Sequence, residues 1–298
     1  MSGEAPGSAP TRAAAGWRGL RASVRGAAHR RVGLPNQDAV RLRQGADRLV
    51  LALADGHGSG KSFRSQQGAR LAVAVAQQVA ARASVLDHAT QRKRWAEDAW
   101  PVELVRGWQG AVDARLARRP FSPMDLDPLD PPARAQLAAN PRLAWGSTLL
   151  SVIVTPAAIL YLQLGDGDLL VVADDGSVDR PLPADARLLG NETTSLCAAR
   201  AWQDARVYCQ TLAGAPPALI LAASDGYANA FRDDAGFRQV AADLWAMLRE
   251  GGRDAVAPHL RGWLDEASAE GSGDDISLGL LWRSGLGPSM TITATATS

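Results

Sequence analysis

Four short acidic motifs stand in fixed order along these 298 residues, and they constrain the chain more than its composition does. They are Asn36-Gln37-Asp38-Ala39, Asp55-Gly56-His57-Gly58, Ser224-Asp225-Gly226 and Asp274-Asp275-Ile276-Ser277. Three of them abut an apolar run of strand length. Leu49 to Ala54 leads into Asp55, Ala218 to Ala223 leads into Ser224-Asp225, and Ile276 to Trp282 follows Asp274. A carboxylate at the end of a buried strand is held rigidly, and desolvating it is unfavourable unless something positive meets it. Strand ends that converge would form a cage of hard oxygen ligands suited to Mg²⁺ or Mn²⁺.

Around the motifs, blocks of strand alternate with pairs of helices. Arg18 to Arg25, Ala39 to Leu42 and Leu49 to Ala54 read as strands. Ser65 to Ala83 reads as a helix on the spacing of Ala69, Leu71, Ala72, Val75, Ala76 and Val79. Pro101 to Arg118 reads as a second on Val102, Val105, Trp108, Val112 and Leu116, with proline allowed in the first turn. Pro120 to Pro141, rich in Pro and Asp, is expected to be an irregular insertion with one short helix over Arg134 to Ala139. Ser147 to Val154, Ala158 to Leu164 and Leu169 to Ala173 follow as strands, and Asp174-Asp175-Gly176-Ser177 as a hairpin turn. Asp185 to Thr194 is loop-like. Strands at Arg206 to Thr211 and Ala218 to Ala223 precede helices at Phe237 to Arg249 and Asp254 to Ala269, and Ile276 to Trp282 is the last strand. Segregated blocks with short connections argue for an α+β protein with antiparallel pairing.

A hydrophobic fraction of 46% supports a sizeable core. Residues 1–16 and the Thr-Ala-rich stretch from 284 are expected to be disordered, leaving 17–283 as one folded domain. The net charge of +1 argues against a nucleic-acid binder. Only Lys61 and Lys93 are lysines, a bias that fits a GC-rich coding sequence. Cys197 and Cys209 provide neither a disulfide framework nor zinc-ligand spacing, so a reduced, cytoplasmic setting is expected. The start lacks the apolar stretch of a signal peptide, and no run of about 18 apolar residues occurs, so no membrane partner is expected.

Two divalent ions about 3.5–4 Å apart can share a hydroxide and aim it at a phosphorus atom, with one carboxylate bridging them. Asp55 is the natural bridge, and Gly56 beside it leaves a backbone carbonyl open to a metal. Asp225 and Asp274 would complete the first ion. Asp38 would face the second through coordinated water. His57 could protonate a leaving alkoxide.

In this order the motifs resemble those of the PPM family, the metal-dependent serine/threonine protein phosphatases of type 2C. Gly146-Ser147-Thr148 and Gly165-Asp166-Gly167-Asp168 add to the resemblance, against the family's Gly-Ser-Thr and Gly-Asp-Ser-Arg. The resemblance spans all but the two ends of the chain. It implies a four-layer α-β-β-α sandwich, two antiparallel sheets flanked by helix pairs, with two Mn²⁺ or Mg²⁺ ions at one edge. It implies that Asp55 bridges the ions, that Gly56 lends its carbonyl and that Asp225 and Asp274 hold the first ion. Asp38 orders the waters of the second, Asp166 matches the residue that binds a looser third ion in many bacterial members, and His57 matches the proposed general acid. The implied substrate is a protein phosphorylated on serine or threonine by a cognate kinase, hydrolysed by in-line attack of a metal-bridging hydroxide.

The chain departs from the family at four places. Gln37 stands where glutamate is usual, and Asp168 where the family has arginine. The phosphate-binding arginine falls on Gly33, so His29, Arg30 or Arg31 is its replacement, and sequence does not choose among them. The stretch from Asp166 to Asp225 is short and leaves little room for a flap. These features look like a divergent bacterial branch. The alternative is a catalytically weak regulatory module that binds phosphoproteins without turnover. A two-metal nuclease is disfavoured because no basic groove is evident.

Each residue also has a plainer reading. Asp-Gly at a strand end is commonly a turn, and Asp38 alone could be a cap. His88 and His259 read as structural. Gly58-Ser59-Gly60-Lys61-Ser62 lacks the full spacing of a phosphate loop and reads as the glycine-rich approach to the next helix. Register on Ile276-Ser277 favours Asp274 over Asp275 as ligand.

Overall fold

The computed structural model describes residues 16–86, 88–183, 193–212 and 214–284. The strands are β1 (Trp17–Val24), β2 (Ala39–Gln44), β3 (Leu49–Ala54), β4 (Leu149–Val154), β5 (Ala158–Leu164), β6 (Asp168–Val172), β7 (Val178–Asp179), β8 (Arg206–Thr211), β9 (Leu219–Ala223) and β10 (Ile276–Arg283). They form two five-stranded sheets, ordered β1-β10-β9-β6-β7 and β2-β3-β4-β5-β8, and every pairing is antiparallel. The helices are α1 (Ala27–Val32), α2 (Ser65–Val79), α3 (Ala89–Arg94), α4 (Trp100–Arg118), α5 (Pro123–Leu126), α6 (Pro131–Ala139), α7 (Asp225–Ala228), α8 (Asp234–Val256) and α9 (Leu260–Ala267).

Strands β3, β4 and β5 are buried at every position, which is why they read as continuous apolar runs and not as alternation. A strand buried on both faces needs a layer on each side. One side is the opposing sheet: Leu51, Leu53, Val152 and Tyr161 meet Ile220, Ala222 and Leu281 between the sheets. On the other, Ala69, Ala72, Val73 and Ala76 of α2 and Leu104, Val105, Trp108 and Val112 of α4 cover Val50, Ala52, Ile153 and Leu160. The first sheet is covered likewise by Phe237, Ala241, Leu244, Trp245 and Leu248 of α8 and Leu260 and Leu264 of α9. The edge strands β1, β2, β7 and β8 carry the exposed positions. The four-layer sandwich is as the resemblance implied.

The helix boundaries differ from expectation for local reasons. α2 stops at Val79, and a 3₁₀ turn carries the chain on through Val85. α4 is preceded by α3 and a π-turn over Trp95–Ala99. Pro101 has no N–H to give that turn, so the regular ladder is interrupted there. The insertion is more ordered than its composition suggests. Ser122 and Asp125 form a reciprocal cap for α5, and Asp130 accepts from Ala133 N at 2.7 Å, starting α6 at Pro131. The expected break after Arg249 falls at Gly252, whose φ of +63° is non-helical and divides α8 into two helical pieces; a turn over residues 257–259, which was not expected, then separates the second piece from α9. The short helix α1 was not expected at all. The expected tails, and most of the expected loop from Asp185, fall outside the described residues. Cys197 and Cys209 are free thiols. No helix among the described residues is long and apolar enough to cross a membrane.

The register sets up one edge of the sandwich. Ala39 pairs with Ala54, so β2 begins where β3 ends. Ala223 pairs with Leu278 on one side and Asp168 on the other, so β9 ends where β10 and β6 begin.

Candidate metal centre

Five of the six predicted acidic and glycine positions are carboxylates delivered to that edge by strand ends from both sheets. Asp38 precedes β2 and Asp55 follows β3. Asp225 lies just past β9, Asp274 just before β10, and Asp166 in the turn between β5 and β6. Ser224 spans the sheets. Its N–H donates to Ser277 O at 3.0 Å, its Oγ accepts from Ser277 N at 2.9 Å, and the same hydroxyl donates to Asp38 Oδ2 at 2.9 Å.

The carboxylates perturb one another strongly. Burial is the largest influence on Asp38 and pushes its pKa up to about 8; the charges of Asp275 and Asp225 add to this, against hydrogen bonds from Ser224 and Ser277. Burial also lifts Asp55 well above the usual carboxylate range, reinforced by Asp38, Asp225 and Asp274. Asp225 is raised by burial and by Asp166 and Asp274, and its hydrogen bond with Asp55 opposes the shift. Asp166 and Asp274 lie on the exposed side of the group, so one face opens to solvent.

The donor set fits a hard divalent ion. Asp38 Oδ1 and Asp225 Oδ1 are buried without a hydrogen-bond partner, a state that is unfavourable for a carboxylate unless a cation meets it. Among the described residues no three His, Cys, Asp or Glu side chains already stand as a formed metal-holding group. Asp55 lies close enough to Asp225 for the two carboxyls to shift each other, Asp55 upward and Asp225 downward. A proton and a metal ion are alternative ways to relieve the same crowding of negative charge.

Backbone packing explains the motif glycines. A Cβ on Gly56 would sit 2.7 Å from Gln37 O and 2.9 Å from Ser65 O, so three segments meet there too closely for any side chain. The Gly146-Ser147-Thr148 motif serves Asp55 and His57. Thr148 N donates to Asp55 O at 2.8 Å, and its Oγ1 accepts from Asp55 N at 3.1 Å. Gly146 O accepts from His57 N at 3.1 Å, and a Cβ on Gly146 would collide with the His57 ring. Burial lowers the His57 pKa below the ordinary imidazole value; Asp166 opposes that shift and Lys61 adds to it.

The two adjacent aspartates have different jobs. Asp275, 3% exposed, accepts from Gly26 N at 2.6 Å, Gln37 N at 2.6 Å and His29 Nδ1 at 2.9 Å. Both its oxygens are committed to tying α1 and the first motif to β10. Asp274 is exposed, and its charge acts on Asp55 and Asp225. The three candidates for the missing arginine all sit in the last turn of α1. Asp275 links His29 to the backbone beside Asp38, whereas Arg30 pairs with Asp265 on α9 at 2.8 Å. The Arg31 side chain makes no hydrogen bond or ion pair among the described residues. Gln37 is buried with Oε1 unpartnered. Asp168 feels the charge of Asp166 and is in an ion pair with Arg180 at 2.9 Å, and Arg180 also holds Asp234 at 2.6 Å. Sequence reasoning missed the structural roles of Asp275, Ser224 and Thr148. Each lay inside a quoted motif, so the motif was the only available signal.

Known proteins share this architecture. The serine/threonine phosphatase Stp1 from Staphylococcus aureus superposes with a TM-score of 0.58 at 13% identity, over 90% of this chain and 95% of its own. PppA, a regulatory component of the type VI secretion system in Pseudomonas aeruginosa, gives 0.57 at 18% identity, over 90% and 97%. The catalytic domain of the serine/threonine protein phosphatase PstP, solved with two manganese ions, gives 0.51 at 16% identity, over 90% and 98%. At these identities the likeness is one of fold. No curated protein sequence matches the chain. The family model for protein phosphatase 2C matches residues 25–265. That match runs from the last turn before α1 into α9 and takes in all the motifs up to Ser224-Asp225-Gly226, so the chain belongs to the protein phosphatase 2C family.

Proposed function

We propose that this chain is a phosphatase that uses two Mn²⁺ or Mg²⁺ ions to remove phosphate from phosphoserine or phosphothreonine in proteins. The observation that carries the reading is the convergence of Asp38, Asp55 and Asp225 with two buried carboxylate oxygens left unpartnered. Bound divalent ions supply an acidified water and screen the charge of the phosphate. On this reading Asp55 and the Gly56 carbonyl would contribute to holding both ions, Asp225 and Asp274 would hold the first, and Asp38 would serve the second. Asp166, on the exposed side, would take a looser third.

The remaining residues position and discharge the substrate. Thr148 and Ser224 fix the Asp55 backbone and the Asp38 carboxylate, so neither swings when a ligand arrives. His57 carries the proton for the leaving alkoxide; burial favours its neutral form, and Asp166 supplies the negative charge that favours the imidazolium. His29, held at Nδ1 by Asp275, presents its other nitrogen in place of the absent arginine. Gln37 removes one negative charge from the second-ion side. The partner is a phosphorylated protein, with a serine/threonine kinase as the opposing enzyme, in the cytoplasm.

The test is hydrolysis of an aryl phosphate and of a phosphothreonine peptide in Mn²⁺, against a chelated control. Asp55→Asn and Asp225→Asn are each expected to lower kcat by about 100-fold or more, in line with loss of a carboxylate that would hold a catalytic ion. Wild-type rates in both variants would refute the assignment. Phosphopeptide binding without turnover in the wild type would favour the regulatory alternative.

A further inference from the structure

A second cavity, of about 520 Å³, opens between the helices on the outer side of the first sheet. Its floor is Tyr227 and Leu244, both buried. Its walls are Phe231, Val240 and Met247 on one side and Trp263 on the other. Val240, Leu244 and Met247 recur at the spacing of one face of α8, so the apolar lining is a built helix face. The aromatic floor is rigid: the Tyr227 ring meets Phe231 edge-on at 5.2 Å and Phe237 at 5.9 Å.

The rim is acidic. Asp243 of α8, Glu266 of α9 and Glu270 of the following π-turn surround the mouth, and no Lys or Arg lines the cavity. Asp243 accepts from Gln239 Nε2 at 2.8 Å, and none of the three carboxylates has an ion pair among the described residues. Carboxylates above an aromatic, apolar floor complement a cation on an apolar stem, above all a guanidinium, which stacks on ring faces and pairs with carboxylates. The volume admits one or two side chains, at the low end for a small-molecule pocket.

The cavity adjoins the carboxylate cluster without sharing residues with it. One wall continues from α7, which begins at Asp225; the other includes Gly271, three residues before Asp274. These walls are packed together, since a Cβ on Gly271 would lie 2.8 Å from Ala230 Cα.

We propose that this cavity docks a partner protein through an amphipathic segment in which arginine flanks an apolar residue. The arginine sits between Glu266, Glu270 and Asp243, and the apolar side chain rests on Tyr227, Leu244 and Met247. That such docking delivers a phosphorylated residue to the carboxylates rests on the phosphatase reading; the docking itself does not.

The test reads binding and needs no turnover. A fluorescein-labelled peptide, Gly-Arg-Leu-Phe-Arg-Gly, is titrated with the full chain by anisotropy. Saturable binding is expected to weaken about tenfold in E266Q/E270Q and to vanish in the charge-reversed E266R/E270R, with circular dichroism unchanged because both residues are exposed. Replacing Leu-Phe by Ser-Ser in the peptide is expected to abolish binding. No saturation up to about 1 mM peptide overturns the proposal. So does equal binding by the charge-reversed chain, or equally tight binding of arginine amide, which would make the site one for a small cation. A dimer in sedimentation that the same substitutions dissolve would overturn it in favour of a second copy of the chain. Should the peptide bind while aryl phosphate is not hydrolysed, the docking stands and the phosphatase reading falls.

Discussion

At the scale of single residues, the site stores an unfavourable arrangement. Asp38 is buried and its Oδ1 has no partner; that burial, with the charges of Asp275 and Asp225 adding to it, raises its pKa to about 8. Without metal, folding brings that carboxylate into a field it would avoid. Asp38→Asn is therefore expected to raise the thermal midpoint of the metal-free protein by about 2–4 °C and to blunt the further rise that Mn²⁺ gives the wild type. Differential scanning calorimetry with and without Mn²⁺ checks both; a lowered metal-free midpoint would show that the carboxylate is not under strain. Asp38, Asp55, Asp225 and Asp274 were legible in the sequence because each sits in a short string beside a strand. The structural role of Asp275 was not. Register on Ile276-Ser277 set it apart from Asp274 as the lesser ligand candidate, but its partners Gly26 and His29 are 249 and 246 positions away.

At the scale of elements, side chains decided what composition obscured. The Pro- and Asp-rich insertion reads as irregular, yet Arg64 ties it down. Arg64 is 5% exposed, donates to Arg119 O at 2.8 Å, pairs with Asp125 at 3.1 Å, and lies over the rings of Phe121 and Trp145 at 4.9 and 4.8 Å.

 Its partners lie 55 to 61 positions away, so no window along the chain displays the contact. Arg64→Ala removes a buried guanidinium that donates to Arg119 O, Pro120 O and the partly exposed Asp125, so it is expected to destabilise the fold by about 2–3 kcal/mol, the range for hydrogen bonds from a charged group. Urea unfolding measures this; a loss below about 1 kcal/mol, the level of a surface pair, would show that the insertion is held by its apolar contacts alone. The strands were easier to read. β3, β5 and β8 have the predicted bounds because an apolar run buried on both faces, or a short edge strand between turns, ends where its neighbours end. The helices were less so, because a 3₁₀ extension after α2 and π-turns before α4 and after α9 alter the ends without altering the apolar period.

At the scale of the whole molecule, the sandwich is assembled from strands far apart in sequence. β1 pairs with β10, and β2 and β3 stand in the opposing sheet. Asp38 and Asp55 arrive on one sheet, Asp225 and Asp274 on the other, and Ser224 joins them. Neither sheet alone holds the whole set, so a chain with its sheets apart feels little of the mutual repulsion; the conflict arises at closure. An ion that relieves it would then act as a latch on the finished molecule, not as a seed for building it. Stopped-flow kinetics should show Mn²⁺ slowing unfolding by about tenfold or more while refolding changes little, the signature of contacts absent from the transition state. Acceleration of refolding by the same factor would place the meeting of the two sheets early, and the clasp at the start of folding.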